Sequence, residues 1–141
     1  MARPLIVIAD ADAIVAQAHA KDSNHKLILR LGQILDSQGV HILFPATAIA
    51  EAVTTLQRKF SDPQLAASTL NLFTDPSIAI ENIDQEVVRE ARKLFDLSKS
   101  KQNTLFDCIV ATLAKKHNTN AIFSFDKWYQ KLGFKLVSDL F

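Results

Sequence analysis

Cysteine is nearly missing from this chain. Cys108 is the single one among 141 residues, so no disulfide can form within it. That usage fits a reducing compartment. No apolar run approaches the ~18 residues that a membrane span requires. The opening residues Met-Ala-Arg-Pro lead straight into a strand-like segment, so we expect no secretory leader, a cytoplasmic setting and no membrane partner. A charge excess is missing too. The formal net charge is +1, so the whole chain does not announce a nucleic-acid binder. Internal repeats and low-complexity segments are absent. His19, His25, His41 and His117 are scattered without the spacing of metal ligands. Cys108 sits in an apolar stretch, where cysteine is usually structural, so the chain offers no evident nucleophile.

What is present is a globular composition. Hydrophobic residues make up 48% and charged residues 22%, enough to bury a core over one expected domain spanning 1–141. The most informative stretch is residues 5–12, Leu-Ile-Val-Ile-Ala-Asp-Ala-Asp. Its short β-branched apolar run reads as a buried parallel strand. Ligands of open α/β sheets bind just beyond the carboxyl ends of strands, where Asp10 would stand. The plain alternative is that Asp10 caps the next helix.

Further along, the spacing predicts helices over Ala13–Ala20, from Asp22 or Ser23 to Gly39, from Thr47 as a cap to Phe60, and over Gln64–Phe73. It predicts another over Gln85–Ser98 with Asp84 as its cap, then a polar loop over Lys99–Asn103. Two more follow, from Thr104 to His117 and from Lys127 to Leu132. Short strands are expected at Val40–Phe44, Ser77–Ile83, Ala121–Ser124 and Phe134–Val137. Alternation of strand and helix argues for an α/β fold with a parallel sheet of about four or five strands.

In such a sheet, a helix that follows a strand begins at the edge where the strand ends. Asp10 and Asp126 follow strands, while Glu51 and Asp107 lie early in helices. Four distant carboxylates would therefore converge on one edge. Like charges at close range repel unless a cation neutralises them. An oxygen-only donor set suits hard divalent ions such as Mg²⁺ or Mn²⁺. Each acid has a structural alternative: Thr104-x-x-Asp107 reads as a capping box, and Glu51 as a surface residue. Both sit inside apolar runs, however, as charges that face a site often do. Lys115, Lys116, Lys127, Lys131 and Lys135 form a locally basic region around Asp126, suited to holding phosphates.

The ordered set of acids resembles the PIN-domain family, above all its VapC-type toxin nucleases. The resembling stretches are Ile6–Val15, Pro45-Ala-Thr-Ala-Ile-Ala-Glu51, Thr104–Ala114 and Ala121-Ile-Phe-Ser-Phe-Asp126. The resemblance implies a three-layer α/β/α sandwich and a ribonuclease dependent on Mg²⁺ or Mn²⁺. By it, Asp10, Asp107 and Asp126 bind metal, and Glu51 binds metal or orients a water. It also implies RNA as substrate, a cognate antitoxin as partner and a homodimer. Two departures stand out. The family usually carries Ser, Thr or Asn where Asp12 stands, so Asp12 either adds a fifth carboxylate or points away. Phe125 occupies a position that is often polar, although Ser124 keeps the hydroxyl. We expect Asp12, Ser124 and Lys127 to touch substrate; Trp128 or Tyr129 could stack a base, although aromatic residues on short helices are more often core.

Two other readings compete. A non-catalytic PIN-like interaction domain would not need all four acids. Asp10-Ala-Asp12 also resembles the first motif of haloacid-dehalogenase-type phosphatases, but too little chain follows Ser124 to supply that family's later motifs.

Overall fold

The computed structural model describes residues 4–95 and 103–141. Five strands form one sheet: β1 (Ile6–Ala9), β2 (His41–Pro45), β3 (Ala79–Glu81), β4 (Ala121–Phe123) and β5 (Lys135–Leu136). Their spatial order is β3-β2-β1-β4-β5, and every pair is parallel. The register sets Ile8 beside Leu43 on one side and beside Ile122 on the other. The chain winds outward from β1 in both directions, so the β1/β4 junction is a topological switch point, the usual position of an α/β site.

Alternation along β1 builds both faces of the core. Val7 and Ala9 point to one side, into a cluster with Ile28, Leu31 and Leu35 of α2 (His25–Ser37) and Ala13 and Ala16 of α1 (Ala11–Ala18). Ile8 points to the other. It meets Val87 and Ala91 of α5 (Gln85–Leu94), and Ile109, Val110 and Leu113 of α6 (Leu105–Lys116). Helices on both faces make the three-layer sandwich expected from the sequence. A third cluster joins α1 to the pair α3 (Ala46–Arg58) and α4 (Pro63–Leu72) through Ile14, Ala48, Ala52, Leu56 and Ala66. The short helices α7 (Trp128–Lys131) and α8 (Val137–Leu140) close the C-terminal side.

Several boundaries differ from the expected ones for local reasons. Helix α1 starts at Ala11 because the Asp10 side chain accepts the Ala11 N–H at 2.7 Å. Helix α2 starts at His25, since Asp22 makes its bond to the Asn24 N–H and leaves the helix start uncapped by a side chain. Thr47 is not a cap: α3 begins one residue earlier, with Pro45 both ending β2 and standing at the cap position. Val137 leaves the expected last strand to begin α8. Asp84 does cap its helix, accepting the Val87 N–H, and Asp62 caps α4 by accepting that of Leu65. Gly39 and Gly133 follow α2 and α7 with φ of +69° and +92°, the left-handed region that glycine enters without strain. Residues 96–98 of the expected long helix and 99–102 of the expected loop lie outside the described residues.

Candidate active site

Three helix starts and two strand ends meet at the carboxyl edge of the sheet. Asp10 leaves β1, Asp126 follows β4, Glu51 lies in the second turn of α3, and Asp107 lies in the first turn of α6. Together with Asp12, they line one cleft of about 150 Å³. The convergence expected from the sequence is therefore present in the geometry, and Asp12 joins it. Thr104 and Ala11 complete the lining.

Capping and convergence turn out to be compatible. Asp10 is buried; its Oδ1 caps α1, while its Oδ2 accepts the Tyr129 hydroxyl at 2.6 Å. Asp107 Oδ2 accepts the Thr104 N–H at 2.9 Å as one arm of a capping box, and its Oδ1 lies 3.3 Å from the same Tyr129 hydroxyl. Asp126 Oδ1 accepts the Trp128 N–H at 2.9 Å, and its Oδ2 accepts from Asn103 at 2.8 Å. Asn103 also reaches Asp107 at 3.4 Å. Each of these three aspartates thus has a fixed orientation set by neutral donors. The positive ends of the α1 and α6 dipoles point into the same region and offset part of the charge.

Asp12 behaves differently. Its Oδ2 accepts the Ser124 hydroxyl at 2.9 Å and the Phe125 N–H at 2.8 Å. Ser124 Oγ in turn accepts the Asp126 N–H at 3.0 Å. The Asp12–Ser124 pair therefore clamps the turn that carries Asp126. Ser124 is buried, so its role is internal. Asp12 Oδ1 is buried with no hydrogen-bond partner among the described residues. Phe125 packs its ring towards the α2 side of the core.

The electrostatics are those of crowded like charge. Burial, with Asp12 and Asp107 nearby, pushes Asp10 well above the usual carboxylate range. Burial raises Asp12 to about 6, against the hydrogen bonds that favour its charge. Burial and the Asp107 and Asp12 carboxylates raise Glu51 to about 7. Asp107 is raised as well, by burial and then by Asp126. Among the described residues, no three acidic, histidine or cysteine side chains stand in a ready coordination geometry. An ion such as Mg²⁺ keeps several of its waters and needs only one or two carboxylates directly. The oxygen-only donors, their crowding and the unpartnered Asp12 Oδ1 fit such an ion.

Two residues of this site escaped the reading of the sequence. Tyr129 is wholly buried, so it cannot serve as a stacking surface; its hydroxyl instead links Asp10 to Asp107. Asn103 links Asp107 to Asp126. Local sequence marks neither, because Tyr129 meets Asp10 and Asp107, and Asn103 meets Asp126, across more than twenty residues. The basic region also disperses. Lys115 and Lys116 lie at the far end of α6, with Lys116 paired to Glu81 at 2.8 Å. Lys135 opens β5 beside Ala121, at the opposite edge of the sheet from Asp126. Lys127 is exposed next to Asp126 but does not line the cleft.

Against this geometry, the PIN domain profile matches residues 7–135. The chain belongs to the PIN domain family. Among its curated relatives, the chain is similar to a VapC ribonuclease of Aquifex aeolicus (strain VF5), 28% identical over 106 residues, which cover 74% of this chain and 75% of that one. Among solved structures, it is similar to VapC20 of Mycobacterium tuberculosis, a sarcin–ricin loop cleaving toxin. The TM-score is 0.79 at 16% identity, covering 92% of this chain and 96% of the other. At that identity, the second likeness speaks for the PIN fold alone.

Proposed function

We propose that this PIN domain, spanning 1–141, is a divalent-metal-dependent endoribonuclease that hydrolyses RNA phosphodiester bonds. We further propose that it acts as the cytoplasmic toxin of a toxin–antitoxin pair, with a cognate antitoxin as partner and a homodimer as its assembly. The observation that carries the catalytic reading is the gathering of Asp10, Glu51, Asp107 and Asp126 around one cleft at the switch point. The VapC ribonuclease likeness supports the choice of RNA. Among the described residues, no helix is long and apolar enough to cross a membrane.

In this reading Asp10, Asp107 and Asp126 hold the ion, Mg²⁺ or Mn²⁺, and Glu51 either joins them or orients a water. A bound divalent ion supplies a water acidified to near-neutral pKa and a positive charge for the developing phosphate oxyanion. The chain's own contribution is placement. Tyr129 and Asn103 fix the angles of the three aspartates through neutral hydrogen bonds. Asp12 and Ser124 fix the turn that delivers Asp126. In the metal-free chain, burial and the Asp107 and Asp12 charges raise Glu51 to about 7, a repulsion that a bound cation would offset.

The test is cleavage of a mixed RNA pool by the purified chain with Mg²⁺ or Mn²⁺, with EDTA, and with Asp126→Asn. Metal-dependent internal cleavage that EDTA and the substitution abolish is expected. Cleavage that survives EDTA, or none with either metal, would overturn the reading.

A further inference from the structure

Among the described residues, no basic side chain lines the acid cleft, although a nuclease has to hold a polyanion. A second cleft, of about 300 Å³, continues from it and shares the wall formed by Ala11, Asp12 and Glu51. It runs along the outer turns of α3 to Thr55, Lys59 and Phe60, with Asp22 opposite. Lys59 is the one cation lining either cleft among the described residues. It is exposed, and among the described residues no carboxylate forms an ion pair with it. Its Nζ lies 5.6 Å from the centre of the Phe60 ring. His19 packs against the same ring edge-on, at 4.4 Å between ring centres and an interplanar angle of 64°.

This juxtaposition has a specific chemistry. An unpaired ammonium next to an aromatic face, one step from a carboxylate cluster, matches a nucleotide with its phosphate on the ammonium and its base against the ring. An acidic cluster repels a phosphate that is not bridged by metal, so the strand needs positive charge just outside the cluster. Lys59 is placed to provide it. Lys115, Lys116 and Lys135 lie away from this edge, and Lys127, although exposed beside Asp126, lines neither cleft. Asp22 Oδ1 accepts the Asn24 N–H at 2.8 Å, which holds its carboxylate on the facing wall as an acceptor for a ribose hydroxyl or a base amine.

We propose that this second cleft seats the nucleotide adjoining the scissile phosphate, with Lys59 on its phosphate and Phe60 against its base. The inference rests on the ribonuclease reading and adds the direction in which the RNA leaves the acid cleft, across Asp12 and Glu51 towards the end of α3. It also makes Phe60 and Asp22 determinants of the preferred base.

The experiment uses the full chain and a fluorescein-labelled single-stranded RNA 12-mer. Cleavage is measured with Mg²⁺, and binding by anisotropy in EDTA over a salt series. Lys59→Gln and Phe60→Leu are compared with Lys93→Gln, a lysine on α5 paired with Glu90. Lys59→Gln is expected to raise KM about 3–10-fold with kcat little changed, and to lower the slope of log affinity on log salt by about 0.7. Phe60→Leu should weaken binding about 5-fold without changing the salt slope. Lys93→Gln should do neither. If wild type cleaves RNA while Lys59→Gln and Phe60→Leu match it in KM, binding and salt slope, the subsite is wrong and the ribonuclease reading stands. If wild type cleaves nothing, the ribonuclease reading falls. The anisotropy arm then decides separately: weaker binding of Lys59→Gln keeps the subsite, and unchanged or absent binding removes it.

Discussion

Glu51, in the second turn of α3, and Glu81, at the end of β3, are both half-buried glutamates, and their surroundings push them in opposite directions. Glu51 faces Asp107 and Asp12, and burial together with those charges raises it to about 7. Burial also pushes Glu81 up, but hydrogen bonds from Lys116 and His117 outweigh it and hold Glu81 below the usual range. Lys116 Nζ lies 2.8 Å and His117 Nε2 2.9 Å from its two oxygens. One region pairs unlike charge and so helps hold α6 to the end of β3. The other packs like charge at the sheet edge at a cost to the fold. Local cost at a shaped cleft is the mark of chemistry rather than of stability. The comparison can be broken by treating each region as if it were the other.

The largest expected effect is on activity. Asp107→Asn keeps an oxygen to accept the Thr104 N–H, so the α6 cap survives while one charge leaves the cleft. RNA cleavage should fall by at least about 100-fold. The metal-free variant should unfold at the same temperature as wild type or higher, because repulsion is relieved. Mg²⁺ at about 100 times its Kd should stabilise wild type by about 2.7 kcal/mol, and the variant by less. Thermal unfolding with and without Mg²⁺ reads both. A variant that melts lower without metal and still cleaves RNA normally would make Asp107 a cap and nothing more.

A smaller effect should follow from the hydroxyl that joins two of the acids. Tyr129→Phe removes the donor 2.6 Å from Asp10 and the link to Asp107, with no change of charge. Mn²⁺ affinity measured by calorimetry should weaken about 10–100-fold, as for other partners that orient metal ligands. A variant with lower stability but wild-type Mn²⁺ affinity would confine Tyr129 to packing.

The contrast between these residues shows what a sequence carries and what it does not. Asp10, Glu51, Asp107 and Asp126 were legible because each sits at a position fixed by its own element: after a strand, or early in a helix, among apolar neighbours. Parallel pairing then brings them to one edge without any further information. Tyr129 was left open between core and a stacking surface, because a tyrosine on a short helix looks the same whether its hydroxyl meets water or a buried carboxylate. Asp12 remained open for a similar reason: its hydrogen bonds to Ser124 and Phe125 cross more than a hundred residues. The lysines after residue 114 are close in sequence, but α6, β4 and β5 carry them to different edges. Thr47 failed as a cap because Pro45 already supplies extended backbone before α3. Its hydroxyl is buried with no partner among the described residues.

The two regions should also separate by pH in the metal-free protein. In the folded state Glu51 titrates near 7 and Asp12 near 6, above the ordinary values of 4.5 and 3.8. Between those limits the folded chain binds more protons than the unfolded one, so stability rises as pH falls. The gain is fully present below the unfolded values and is lost as pH climbs through about 6 to 7. Glu81 has the opposite sign: its contribution is present above 4.5 and is lost only as pH falls through its lower folded value. From pH 8 to pH 5 the site should therefore gain stability while the Glu81 pair keeps its own. We expect Tm in EDTA to be higher at pH 5.5 than at pH 8 by about 2–4 °C. A Tm that falls over that interval would mean the acids are not crowded in solution, and Asp107→Asn should flatten the dependence.

The smallest effect is expected from the paired region itself. Glu81→Gln leaves an amide oxygen for Lys116 but removes the charge. The Lys116 side chain is 49% exposed and that of Glu81 16%, so water screens part of the attraction. Ion pairs of this kind contribute about 0.2–1 kcal/mol, and the variant should lose that much in urea unfolding at pH 7. Raising salt should narrow the difference from wild type, since screening weakens the pair that only wild type has. RNA cleavage and the stabilisation by Mg²⁺ should match wild type, because Glu81 lines neither cleft. A double-mutant cycle with Lys116→Met isolates the pair from the separate cost of each change. Suppose the cycle gives a favourable coupling at Glu81 while Asp107→Asn stabilises the metal-free fold. The two signs then assign one region to holding α6 in place and the other to binding a cation. A coupling of zero, with Glu81→Gln instead lowering Mg²⁺ stabilisation, would put Glu81 in electrostatic contact with the acid cleft and erase the distinction between the two glutamates.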